Sequence, residues 1–159
     1  MRRLIVNADE CGWSEAVTSG ILRAHHEGIL TSTTVMMNLE GAAEALDRAR
    51  RQAPALGIGL HLNLTEGDPL APRDRVGAIL DRDGRLRPNP ADLVRALRGS
   101  GAGLAAAEEE LQAQIVRARQ FGLEPTHLDS HKHVHLYPRL LPVVINLARR
   151  HGIRAVRVT

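Results

Sequence analysis

Apolar and polar positions along the 159-residue chain follow two periods in turn. Residues 3–6, RLIV, form a short β-rich run that breaks into polar NADE. Over residues 15–27, EAVTSGILRAHHE, the apolar positions Val17, Ile21, Leu22 and Ala24 share one helical face, and Gly28 supplies a C-terminal stop. TSTTVMM (31–37) is β-branched and predicts a strand. AAEALDRARR (42–51) predicts a helix closed by Pro54, and LGIGLHLNL (56–64) the next strand. Further on, the pattern predicts helices at 91–98 and 104–121, separated by a flexible GSGAG. A strand follows in PTHLD (125–129), then a helix at 138–152 opened by Pro138, with Pro142 tolerable in its first turn. IRAVRV (153–158) reads as a last strand. Residues 66–90 break the rhythm. They are rich in Gly, Pro, Asp and Arg, and DRDGRL (81–86) offers an Asp-Gly turn. A long insertion of this kind inside a compact pattern is more often functional than idle.

Alternating strands and helices predict an α/β domain with a parallel sheet and crossover helices. At this length a single domain, 1–159, is expected. Such folds carry their chemistry at the carboxyl ends of the strands. Asn7, Asp9 and Glu10 stand after the first strand, and His61, Asn63 and Thr65 at the end of the third. Asp129 stands at the end of the fourth, within THLDSHKHVH (126–135), which holds four of the eight histidines: His127, His131, His133 and His135. Two imidazoles and a carboxylate form a common ligand set for a catalytic divalent metal, and a second carboxylate can act as general base toward water. Asp9 and Glu10 are adjacent, so a regular strand would point them to opposite faces. Both serve one pocket only if the strand ends near Ala8 and the backbone turns.

Plainer explanations exist for each element. The four histidines of 127–135 share one parity, as an amphipathic strand would show them to solvent, and His61 could be a hydrogen-bonded core residue. His25, His26 and His151 fall at helix C-terminal turns, where imidazolium suits the dipole. Cys11 reads as a small packing residue with at most weak metal contact. Carboxylates and imidazoles from three strands converge on one rim, and that convergence favours the functional reading.

Charge narrows the field of partners. Twenty arginines and one lysine, Lys132, are scattered along the chain, and the formal charge is only +3. With 2% aromatic residues, platforms for stacking bases are nearly absent, so nucleic acid is not an expected partner. One cysteine excludes an internal disulfide. The N-terminal apolar run is too short for a signal peptide and no run approaches a membrane span, so a cytoplasmic location is expected.

The stretches LIVNADECG, GILTSTTVMMN, GIGLHLNLTEGDPL and PTHLDSHKHVHLYP, in that order, resemble the successive motifs of the YdjC-like carbohydrate deacetylases, which include chitooligosaccharide and hopanoid-associated enzymes. The resemblance runs from Leu4 to Arg157. It implies a TIM-like (β/α) barrel that hydrolyses the N-acetyl group of an amino sugar with one divalent metal ion, magnesium or zinc. By that resemblance Asp9 matches the catalytic aspartate, Glu10 a metal-binding aspartate, and His61 and His131 the metal-binding histidines. Asn7, Asp129, His133 and His135 become substrate-binding or supporting candidates, with His127 shaping the strand end. The expected partner is a small acetylated amino sugar, and a homodimer is compatible with the pattern.

Two departures matter. Where the family usually reads Asp-Asp-Phe-Gly, this chain has Asp9-Glu10-Cys11-Gly12, which lengthens one ligand arm by a methylene. Family members also continue well past the position of Thr159, into a part that carries a late histidine proposed as proton donor. The expectation is therefore a barrel incomplete at its C-terminus, with exposed apolar edge. The alternatives are a degenerate or truncated member that binds metal or sugar without turnover, and a phosphoester hydrolase. In a decayed site Glu10 would swing away or pair with an arginine.

Overall fold

A computed structural model describes residues 4–99 and 101–158; the expectations for Met1–Arg3, Ser100 and Thr159 lie outside them. Strands β1 (Asn7–Cys11), β2 (Ser32–Val35), β3 (Gly57–Leu62) and β4 (Leu128–Ser130) form one parallel sheet in the order β1-β2-β3-β4. Helix α1 (Glu15–Glu27) joins β1 to β2, and α2 (Ala42–Gln52) joins β2 to β3. Between β3 and β4 lie α3 (Arg73–Val76), α4 (Pro90–Arg98) and α5 (Ala102–Gln120), and α6 (Leu141–Arg150) follows β4. Parallel strands adjacent in chain order are joined here through helices, and crossovers of a single hand, the right-handed rule for such units, put those helices on a common face of the sheet.

Period-2 alternation then divides the sheet. Val35, Ile58, Leu60, Leu62 and Leu128 belong to the core that packs under the helices, with Leu46, Leu111 and Ile115. The opposite parity is polar or glycine throughout: Asn7 and Asp9, Ser32 and Thr34, Gly57, Gly59 and His61, His127 and Asp129. Register places Asn7 beside Ser32, Ser32 beside Gly57, Thr34 beside Gly59 and His61 beside Asp129. Gly59 is required by its neighbour. A Cβ there would lie 2.5 Å from the His127 ring.

Two expectations change. The first strand is not RLIV: Leu4–Val6 are irregular, and the ladder runs through NADEC instead. The last strand shrinks to a single bridge, Val156 beside Leu128, because only Ala155 and Arg157 exchange backbone hydrogen bonds with Leu128. Among the described residues the sheet is open, with no closed barrel. Leu4, Ile5 and Val158 are exposed at its margins. Among the described residues no helix is long and apolar enough to cross a membrane.

The insertion is ordered by one helix. Glu110 of α5 has no solvent exposure, and its carboxylate accepts hydrogen bonds from the backbone N–H of Leu70 (2.9 Å) and Ala71 (2.9 Å) and from Gln114 Nε2 (2.8 Å). Gln114 in turn accepts from Asn63 N–H and donates to Asn63 O. Thus α5 satisfies backbone groups of the loop after β3 that water cannot reach. Burial raises the Glu110 carboxyl, and the bonds from Ala71, Gln114 and Leu70 oppose that rise. Beyond it, the Asp-Gly turn forms as read, with Leu80 bridged to Leu86 and Gly84 at φ +76°.

Glu110→Gln is expected to destabilise the fold by about 2–3 kcal/mol, nearly as much as Glu110→Ala, because its amide would turn N–H groups toward N–H donors. Urea unfolding measures this; unchanged stability in the glutamine variant would show that one acceptor oxygen suffices.

Candidate active site

The chemistry begins with a fault in β1. Ala8 pairs with Thr33 and Cys11 with Val35, so three steps along β1 match two along β2. Glu10, at φ +68°, absorbs the extra residue. A non-glycine residue there costs about 1–2 kcal/mol. The bulge re-aims side chains, as such bulges do beside active sites. The strand therefore does not end at Ala8, as the sequence suggested; it bulges, and Asp9 and Glu10 reach neighbouring parts of one site.

Glu10, His61 and His131 each offer a ligand atom within 4.8 Å of the others. Glu10 Oε1 lies 3.0 Å from His131 Nδ1, and the His61 and His131 rings are 5.7 Å apart. His131 follows β4 directly and is buried. The chain after it turns through Lys132 and His133, both at left-handed φ (54° and 53°). That turn ends the parity the sequence suggested, so an amphipathic histidine strand does not form. His61 Nδ1–H donates to Asp129 Oδ1 at 2.7 Å, which leaves the Nε2 lone pair for a cation. Two imidazoles and a carboxylate so grouped fit a divalent metal. Cys11 is buried and outside the cluster, and burial pushes its thiol up to about 11.

Asp9 is held differently. Arg157 Nη1 donates to its Oδ1 (2.7 Å) and Nη2 to its Oδ2 (2.9 Å), and Asn7 Nδ2 donates to Oδ1 (2.7 Å). Burial alone would raise the Asp9 carboxyl, but the Arg157 hydrogen bonds, the His61 charge and Asn7 outweigh it and hold it below the usual range. Arg157 Nη1 also lies 3.1 Å from Asp129 Oδ2, and the Thr34 hydroxyl donates to that oxygen at 3.3 Å. Asp9 also groups with His61 and Asp129 within 4.8 Å, but it is the acid paired with an arginine, while Glu10 is the one against His131.

The other candidates take distinct places. His135 is buried; its ring bonds Ser130 Oγ (2.6 Å) and the Arg157 carbonyl (2.8 Å), so it anchors the backbone that carries Arg157. His127 is half-buried over Gly59, and burial lowers its pKa. His133 is exposed, outside the cluster. Arg157, Thr34 and Trp13 were not singled out in the sequence. Arg157 could have been found, since it stands one residue from the end of the last predicted strand and obeys the same strand-end rule. Thr34 shares the polar parity of β2, a weaker signal. Trp13 stands with its ring 5.5 Å from that of His131.

The sequence pattern described as YdjC-like protein matches residues 3–159. The chain belongs to this family. The YdjC-like chain is 44% identical over 158 residues to a carbohydrate deacetylase of Geobacillus stearothermophilus, covering 98% of this chain and 60% of that protein. It is 42% identical to a carbohydrate deacetylase of Brevibacillus brevis (95% and 57%). A chitooligosaccharide deacetylase of Salmonella dublin is 40% identical (99% and 59%). A crystal structure from Enterococcus faecalis, described as a candidate cellobiose-phosphate cleavage protein, superposes with a TM-score of 0.86 at 36% identity, covering 95% of this chain and 57% of that one. The chain therefore spans 57–60% of the length of these relatives.

Zinc titrated into the chain by calorimetry is expected to bind once. His61→Ala and His131→Ala should each weaken it at least about 100-fold. Glu10→Asp should not tighten it, because the longer arm already reaches His131. Burial, aided by His61 and opposed by Glu10, lowers the His131 pKa from its ordinary 6.5. The imidazole stays neutral to lower pH, so affinity should collapse with a midpoint below 6.5 as protons displace the metal; a midpoint above 6.5 would contradict the burial argument.

Proposed function

We propose that the chain is a metal-dependent deacetylase acting on the N-acetyl group of an amino sugar. The observation that carries this reading is the Glu10–His61–His131 ligand cluster standing beside an Arg157-held Asp9 at one end of a parallel sheet. The relatives named as carbohydrate and chitooligosaccharide deacetylases supply the substrate class. The sheet is read as one arc of a TIM-like barrel, and the location as cytoplasmic, which suits a single buried thiol.

Glu10, His61 and His131 would hold the cation, and Asp129 fixes the His61 tautomer and orientation. Nitrogen-rich ligation favours zinc or another transition ion over magnesium. When bound, the cation supplies the Lewis acidity that polarises the acetamide carbonyl and acidifies water. Asp9 takes the proton of the attacking water. Of the roughly four lone-pair directions of a carboxylate, Asn7 and Arg157 occupy two on Oδ1 and Arg157 one on Oδ2, so Oδ2 keeps one for that proton. Arg157 keeps the carboxylate ionised and aimed, at some cost in basicity. A carboxyl held below its usual range also releases a proton readily, which suits return of the proton to the departing amine.

Arg157, the guanidinium beside the ligand cluster, is committed to Asp9 and Asp129, so it is not free to clamp a phosphoester. Acetate release from N-acetylglucosamine oligomers by the zinc-loaded chain tests the proposal. Asp9→Asn is expected to lower kcat by about 10²–10⁴-fold with zinc affinity retained, and Arg157→Ala by a smaller factor. Tight zinc binding without acetate release would favour the alternative, a family member that binds without turnover.

A further inference from the structure

The geometry points to Trp13 as the platform on which the saccharide ring lies, making it a specificity-determining residue of this site. The inference rests on the amino-sugar reading above and goes beyond it by assigning the surface that holds the sugar rather than the acetamide. Trp13 is the only tryptophan in a chain with 2% aromatic residues. It is not spent in the core: the residue is 42% exposed, although its ring lies 5.5 Å from that of His131, tilted by 38°. A large indole left partly in water beside a ligand histidine marks a surface awaiting an apolar partner. A pyranose offers one in its face of axial C–H bonds, while its hydroxyls turn outward.

The surroundings match that partner. Trp13 lines an open cleft of about 500 Å³ whose other walls include Leu39, Glu44, Glu66 and Arg85. Carboxylates and a guanidinium around one aromatic plate can hydrogen-bond sugar hydroxyls at the edge of a stacked ring. The Trp13 ring that lines the cleft lies 5.5 Å from that of His131, so a unit lying on the indole can present its 2-acetamido group to the metal cluster.

The backbone that carries the plate is fixed in advance. Gly12 adopts φ +90°, and a Cβ there would meet the Ala42 backbone at 2.9 Å. Trp13 N–H donates to Glu10 O at 3.0 Å, and Ser14 caps α1 by accepting from Val17 N–H. Trp13 is pinned between a tight glycine turn and a helix cap. The same backbone bond ties it to the metal-ligand candidate Glu10, so little backbone ordering remains to be done on binding.

Because the chain has one tryptophan, its emission reports this ring alone. The zinc-loaded chain is titrated with the N-acetylglucosamine dimer and with cellobiose, which has the same C–H faces but no acetamide. Both sugars are expected to shift the emission saturably, cellobiose at higher concentration. Trp13→Ala should weaken binding of the N-acetylglucosamine dimer about five- to ten-fold by calorimetry with zinc affinity unchanged, and Trp13→Phe should recover part of the loss. Calorimetric binding of the dimer without an emission change, or equally tight binding by Trp13→Ala, overturns the assignment while leaving the deacetylase reading intact. Emission shifts with both sugars but no acetate release sustain the platform and remove that reading. No binding of either sugar overturns both.

Discussion

Asp129 has no solvent exposure, and a carboxylate in that position must be compensated by the chain itself. Three groups do so, each from a different part of the sheet: His61 from β3, Thr34 from β2 and Arg157 from the segment beside β4. The compensation fixes relative positions, since each partner has to arrive within hydrogen-bond reach for the buried charge to be tolerated. Two of these partners then carry the arrangement outward. His61 joins Glu10 and His131 in one ligand cluster, and Arg157 grips Asp9. The candidate ligand cluster and Asp9 are therefore oriented from one buried oxygen pair.

The bulge in β1 completes that geometry from the opposite edge. Without an extra residue, period 2 would send one of two adjacent acids into the helix-facing core. With it, Asp9 meets Arg157 and Glu10 meets His131. The strain at Glu10 is kept where the surrounding ladder over-determines the backbone, which is where such strain is ordinarily found.

Much of this was legible in the sequence because it rests on local rules. Helices α1, α2 and α4 follow apolar periodicity and end at glycine or just before Pro54, close to the expected bounds. GIGLHL shows both faces of β3 at a glance, with Ile58, Leu60 and Leu62 alternating with Gly57, Gly59 and His61. Strand-end placement brought Asp9, Glu10, His61, Asp129 and His131 into consideration without any structure. What escaped depends on long-range partners. The LIV of the first run is apolar yet irregular, since pairing with β2 starts only at Asn7. The parity of the histidines after His131 was misleading, because Lys132 and His133 adopt left-handed backbone that no local pattern announces. Arg157 looked like one of twenty scattered arginines; only a buried partner nearly thirty residues away gives it meaning.

The strict alternation of the sheet has a consequence for how this protein can change. Residues of one parity meet helices and decide whether the chain folds; residues of the other meet each other and decide what it can do. Exchange of Leu60 for a smaller residue opens a cavity under α5, whereas exchange of its neighbour His61 leaves that packing in place. The two properties are thus written on adjacent letters yet remain nearly independent. Such a sheet can be re-equipped for a different substrate one inner position at a time, without re-solving the problem of its core.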